Sequence, residues 1–215
     1  MKGLERIGVF GGTFDPPHLG HLILAEMARE QLRLDRLLFL PAGRSPLKPE
    51  VKMASDHHRS AMLDLALAHM PEFELDLTDL ERPSPSYTVD TLALLREAYG
   101  PEPEFFLLIG EDSLVDFPRW RAPEQIIDAA RLAVFDRPGF RADLDTLEDA
   151  VPGIRNRIER IEGPRIGISA TGLRQRIRQG RSIRFQVPWV IESYLQEQGL
   201  YRAGVDEDPA RNNGT

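Results

Sequence analysis

The chain has 215 residues, 41% hydrophobic and 28% charged, with a formal net charge of -7 at pH 7. That length suits one α/β domain, and the acidic balance speaks against non-specific nucleic-acid binding, which needs a positive field. No cysteine is present to form a disulfide or a thiolate metal site, no long apolar run marks a membrane span, and no signal-peptide core precedes the first apolar run, so a cytoplasmic location is expected.

In chain order, apolar and β-branched runs at 7–10, 37–40, 73–77, 105–109, 132–135 and 165–168 predict strands. Longer stretches at about 18–33, 55–70, 88–99, 122–130, 171–179 and 187–198 predict helices. Ser55-Asp56 supplies a plausible cap for the second helix, and Gly100 a natural stop for the third. Strands alternating with helices predict a single Rossmann-like, doubly wound α/β domain over 1–203, its mostly parallel sheet flanked by helices. Segment 139–163 is charged and irregular, and one helix is expected there. Residues 204–215 are polar and aperiodic and are expected to be an unstructured tail. Sheets of this type bind ligands beyond the carboxyl ends of their strands, so loops that follow strands carry the functional expectations.

The loop after the first strand reads GGTFDPPHLGH, from Gly11 to His21. Gly11 and Gly12 allow backbone to approach a ligand closely, with Thr13 and Phe14 next to them. Pro16 and Pro17 suit the first turn of the following helix. A helix N-terminus offers N–H groups and partial positive charge to a phosphate. His18 and His21, three apart, project from one face of that turn and can donate hydrogen bonds to phosphate oxygens as charge builds up in transfer. Either histidine alone could equally be a cap or a packing residue; the eleven-residue combination points to a phosphate ligand. The lysine and hydroxyl of a Walker loop are missing.

These residues resemble the GGTFDPxHxGH signature of the nucleotidyltransferase superfamily with the HxGH motif. Within it the chain resembles the bacterial nicotinate-mononucleotide adenylyltransferases over residues 5 to 202, through several separated motifs in the same order. Leu40-Pro41-Ala42-Gly43 with Lys48 resembles the family's LPA…HK segment, although Leu47 stands where histidine is usual. Ser86-Tyr87-Thr88-Val89-Asp90-Thr91-Leu92 matches SYTxDTL. Gly110-Glu111-Asp112-Ser113 resembles GxDS, and Ile168-Ser169-Ala170-Thr171-Gly172-Leu173-Arg174 resembles ISxTxIR. Asp136-Arg137-Pro138-Gly139 echoes the family's RPG without an assigned chemistry. Val51 to Ser55 resembles a KMSKS loop only faintly, too early in the chain and without the second lysine.

The resemblance implies transfer of AMP from ATP to nicotinate mononucleotide, giving deamido-NAD and pyrophosphate. Gly11, Gly12, Thr13, Phe14, Lys48, Gly110, Asp112, Ile168, Ser169 and Thr171 would then form the ATP site. Ser86, Tyr87, Thr88 and Trp120 would hold the pyridine nucleotide, with Thr88 and the adjacent backbone N–H groups taking the carboxylate and Trp120 stacking on the ring. His18, His21 and Arg174 would act on the transferring phosphates. Structural alternatives stand beside each: Ser86 or Thr88 as a helix cap, Asp112 as a cap, Trp120 as core, Lys48 and Arg174 as solvated charges. The attacking phosphate is already ionised near neutrality, with a second pKa of about 6, so no protein nucleophile is needed. Magnesium is expected to ride on the ATP phosphates, with no protein metal cage. ATP and nicotinate mononucleotide are the expected partners, without nucleic acid or membrane, and a homo-oligomer stays open. The 41–53 loop is the expected lid. Two rival readings remain: another HxGH transferase, acting on the amidated nucleotide, phosphopantetheine or glycerol phosphate, and a non-catalytic nucleotide-binding module.

Overall fold

Four strands carry unbroken or nearly unbroken buried stretches, and they form the sheet interior: β1 (Arg6–Gly12), β2 (Arg36–Pro41), β4 (Glu104–Gly110) and β5 (Arg131–Phe135), while the short β3 (Phe73–Leu75) pairs with β2 at one edge. The computed structural model describes residues 4–43, 53–83, 85–136 and 139–202. A sixth strand, β6 (Ile158–Ile161), completes the order β3-β2-β1-β4-β5-β6, with all five pairings parallel. Period-two alternation sends side chains to two cores. Ile7, Val9, Leu38, Leu40, Phe105, Leu107, Leu132 and Val134 meet helices on one face. Phe10, Leu37, Phe39, Phe106, Leu108, Ala133 and Phe135 meet helices on the other.

Among the described residues the helices are α1 (Leu19–Leu32), α2 (Asp56–Leu67), α3 (Thr88–Tyr99), α4 (Glu111–Asp116), α5 (Pro123–Ala129), α6 (Leu144–Ala150), α7 (Ala170–Arg178) and α8 (Trp189–Glu197). Helices α1 and α2 supply Leu22, Ala25, Ala28, Leu63 and Leu67 to one face, while α3, α5 and α6 supply Leu92, Leu95, Ile126, Ile127 and Leu147 to the opposite one. A third core joins α2 to α7, α8 and the chain beyond, through Met62, Leu173, Ile191, Leu195 and Tyr201. None of the described helices is long and apolar enough to cross a membrane.

The doubly wound architecture is the expected one; several details are corrected. The apolar run 165–168 is not a strand. The sixth strand lies earlier, and its alternation of apolar with charged residues reflects an edge position, where only Ile161 is buried. Ile166 instead approaches Gly20 at the start of α1, and Ile168 packs on the third core. Segment 139–163 is not one helix: α6, a 3₁₀ turn over Ile154–Arg157 and β6 divide it. Strand β3 ends at Leu75, two residues short of the expected limit. Helix α4 and the 3₁₀ turn Phe117–Arg119 were not expected from sequence. Pro16 and Pro17 precede α1 rather than open it, and the Asp15–Pro16 peptide is cis. The expected tail at 204–215 lies outside the described residues.

Candidate active site

Strands β1 and β4 are the neighbours from which the two halves of the sheet run in opposite directions, the switch point where such sheets leave a crevice beyond their carboxyl ends. Both ends carry motifs. Gly11 and Gly12 close β1, paired with Leu40 and Pro41, and Gly110 closes β4.

His18 is the N-cap residue of α1, and His21 stands in its first turn. Their rings stack at 3.6 Å between centroids, with planes 16° apart. The His18 backbone N–H donates to His21 Nδ1 at 3.2 Å. A neutral His21 that accepts at Nδ1 carries its proton on Nε2, so it is a donor there. Burial pushes the His18 pKa down to about 4, against a small opposing backbone hydrogen bond. Burial, and then the adjacent His18, hold His21 well below its ordinary range. Both imidazoles are therefore neutral near pH 7. Phe14, at φ 48° and buried, packs edge-on against His21 at 4.9 Å and lies under Gly12, whose added Cβ would meet its ring at 3.0 Å. Its backbone, rather than its ring, is what a ligand could touch. Thr13 is exposed, and its carbonyl is taken from beneath.

Helix α7 brings the second group. Ser169 caps it, its Oγ accepting from the Gly172 N–H at 3.1 Å. Arg174, one turn in, donates from Nη1 to the Asp15 carbonyl at 2.6 Å and lies 3.4 Å from Asp15 Oδ2; Nη2 is 3.4 Å from Thr171 Oγ1. Arg174 thus belongs to the β1–α1 loop in space, 159 residues away in sequence. It is not one more surface arginine.

At the end of β4, a Cβ on Gly110 would stand 2.5 Å from Asp112 Oδ1, so the carboxylate occupies the space a side chain there would need. Asp112 is not the cap of α4; Gly110 holds that position. At α3 the N-cap is Tyr87, with no side-chain hydrogen bond, so neither Ser86 nor Thr88 caps it. Ser86 Oγ donates instead to the Asp79 carbonyl at 3.0 Å, and Thr88 is the first helical residue. Trp120 is half-buried, 5.3 Å from Phe117, in the same core as Val89 of α3. Arg121 sits 4.7 Å over the Tyr87 ring and 3.5 Å from Asp90, tying this segment to the start of α3. The Tyr87 turn and the segment that carries Trp120 are thereby adjacent. Lys48, most of the 41–53 loop, Arg137 and Pro138 lie outside the described residues. Among those described, no group of three or more metal-ligating side chains is present.

Three residues of the loop's foundation went unassigned in the sequence. Asp15, wholly buried, accepts at Oδ1 from the Ala54 N–H at 3.1 Å and from the Tyr201 hydroxyl at 2.5 Å. Arg59, also wholly buried, donates from Nη1 to the Thr13 carbonyl at 2.9 Å and from Nη2 to Asp56 at 2.6 Å. A charged residue in phase with Met62, Leu63 and Ala66 on α2 was the available signal for Arg59. Asp15 stood inside the glycine-rich stretch, and Tyr201 had no local signal at all.

Residues 9–176 match the family described as cytidylyltransferase-like. A protein of Thermomicrobium roseum, named a probable nicotinate-nucleotide adenylyltransferase, is 48% identical over 199 residues, covering 93% of this chain and 92% of that protein. A namesake from Roseiflexus sp. is 49% identical, covering 91% and 98%. In fold, the chain is similar to a Plasmodium falciparum nicotinic acid mononucleotide adenylyltransferase solved with NaAD, at TM-score 0.72 and 20% identity, covering 92% of this chain and 97% of that one. The same enzyme solved with APC gives 0.71. With nearly half its residues shared along almost its whole length, the chain belongs to the cytidylyltransferase-like family and, within it, to the nicotinate-nucleotide adenylyltransferases.

Proposed function

We infer that this protein transfers the adenylyl group of ATP to nicotinate mononucleotide, giving nicotinate adenine dinucleotide and pyrophosphate. The observation that carries the reading is the stacked, neutral His18–His21 pair at the N-terminus of α1, with Arg174 drawn to the same loop by Asp15. The family's names supply the substrate class.

In this reaction a phosphate oxygen of nicotinate mononucleotide forms a bond to the α-phosphorus of ATP as the bond to the bridging oxygen of pyrophosphate breaks. The nucleophile is ionised already, so the protein's work is in-line positioning and stabilisation of charge. Neutral His21, protonated on Nε2, donates to an α-phosphate oxygen without losing or gaining a proton. His18 assists beside it. Arg174 spends Nη1 on Asp15 and offers the remainder of its planar fork to the departing pyrophosphate. The Ser169 cap keeps the start of α7 in register for that task. Gly11, Gly12, Gly110 and Asp112 line the ATP side of the crevice, with Thr13, the Phe14 backbone, Ile168 and Thr171. The first-turn N–H groups of α3, without a side-chain cap, suit the pyridine carboxylate at Thr88. Ser86 and Tyr87 shape that turn, and stacking on Trp120 contributes about 0.5–1.5 kcal/mol beyond area burial. Magnesium carried on the ATP phosphates supplies further charge neutralisation when bound. The test is pyrophosphate release with Mg-ATP, comparing nicotinate mononucleotide with its amide at equal concentrations. Strong preference for the acid is expected; release with neither substrate would overturn the reading.

A further inference from the structure

Tyr201 follows the last described helix and reaches the signature loop across 186 residues. It is 1% exposed and adopts φ 62°, a left-handed conformation that costs an aromatic residue free energy and persists only where surroundings enforce it. Its ring belongs to the third core, and its hydroxyl donates to Asp15 Oδ1 at 2.5 Å. The carboxylate it meets is wholly buried and has uneven partners. Oδ1 accepts from Tyr201 and from the Ala54 N–H. Among the described residues Oδ2 has no hydrogen-bond partner; Arg174 Nη1, which donates to the Asp15 carbonyl, makes only a long, single-pronged ion pair with it at 3.4 Å.

That asymmetry sets up a competition. A buried carboxylate draws the nearest cation unless other donors satisfy it. Here two donors on Oδ1 meet part of the demand, and Arg174 is held by the backbone carbonyl rather than closed into a two-pronged ion pair. Its outer nitrogen lies 3.4 Å from Thr171 Oγ1. We propose that Tyr201 is a positioning residue for the reaction: its hydroxyl satisfies Asp15, and so keeps Arg174 available to the triphosphate instead of captured by the carboxylate.

The proposal rests on Arg174 serving ATP, and the experiment separates the two. Tyr201→Phe removes one oxygen and leaves the ring in its core. Steady-state kinetics with ATP varied should show kcat/KM for ATP falling between about 10- and 100-fold, the scale of a displaced reacting group, while KM for nicotinate mononucleotide moves less than about twofold. In an Arg174→Ala background the same change should add almost nothing, because there is no arginine left to misplace. A purely structural hydroxyl would lower stability and act additively in both backgrounds, and that result overturns the proposal. Calorimetric binding of a non-hydrolysable ATP analogue to wild type and Tyr201→Phe reads the same effect without turnover. If wild type binds the analogue but does not react, the adenylyl-transfer reading fails while weaker binding by Tyr201→Phe still supports this one. Should Tyr201→Phe not fold, Asp15→Asn removes the competing charge: analogue binding retained or tightened supports the proposal, and binding lost contradicts it.

Discussion

Acid should destabilise this protein through the stacked imidazoles, and His18 allows the effect to be sized. Its pKa lies near 4 in the folded chain because burial disfavours the imidazolium, whereas the unfolded chain binds a proton at about 6.5. Between those values the unfolded state holds more protons, so stability rises with pH across that window. The stability present above pH 6.5 is lost progressively on acidification and is gone near pH 4. At about 1.4 kcal/mol per pH unit this amounts to roughly 3 kcal/mol, with His21 acting in the same direction. Urea unfolding of wild type and His18→Gln at pH 7, 5.5 and 4.5 isolates the contribution. Wild type should lose more stability than the variant over that range, by up to about 3 kcal/mol. Parallel curves would refute the claim that His18 is held neutral by burial. Nitrogen shifts of the imidazoles should also reveal higher pKa values once a triphosphate is bound, since a nearby anion favours the charged ring.

Three further outcomes are expected. His21→Ala should lower kcat by roughly 10²–10³, the usual loss for one donor to a transition-state oxyanion; an unchanged kcat would remove His21 from the chemistry. Trp120→Ala should raise KM for the pyridine nucleotide more than for ATP, whereas equal effects on both substrates would count against stacking. Gly110→Ala places a methyl 2.5 Å from Asp112 Oδ1, so it should displace that carboxylate and raise KM for ATP at least several-fold, and a variant with normal ATP kinetics would free Asp112 from the ATP site.

Much of this molecule was legible one residue at a time. The buried strands β1, β2, β4 and β5 stood out because a sheet covered on both faces demands continuous apolar runs, and the switch from period two to helical period marked each crossover. The glycines and histidines of 11–21 pointed to phosphate because close approach and donated hydrogen bonds are properties of those residue types themselves. Edge strand β6 was misplaced for the converse reason: half of it faces water, so its pattern carries charge, while the RIGI run, whose two isoleucines are half-buried, imitated a buried strand.

What only tertiary structure decided was who holds whom. No local pattern brings Arg174 to Asp15, Tyr201 to the same carboxylate, or Arg59 beneath Thr13. Those contacts exist because the third core clamps α2, α7 and α8 together beside the crevice. Nor does composition reveal that His18 and His21 stack and are held neutral, since desolvation depends on everything packed around the rings. The sequence by itself determined which chemical groups are present and which strands build the sheet, because propensity and periodicity are local. The tertiary structure decided their protonation, their partners and their availability to a substrate, because burial and long-range contact are properties of the folded chain alone.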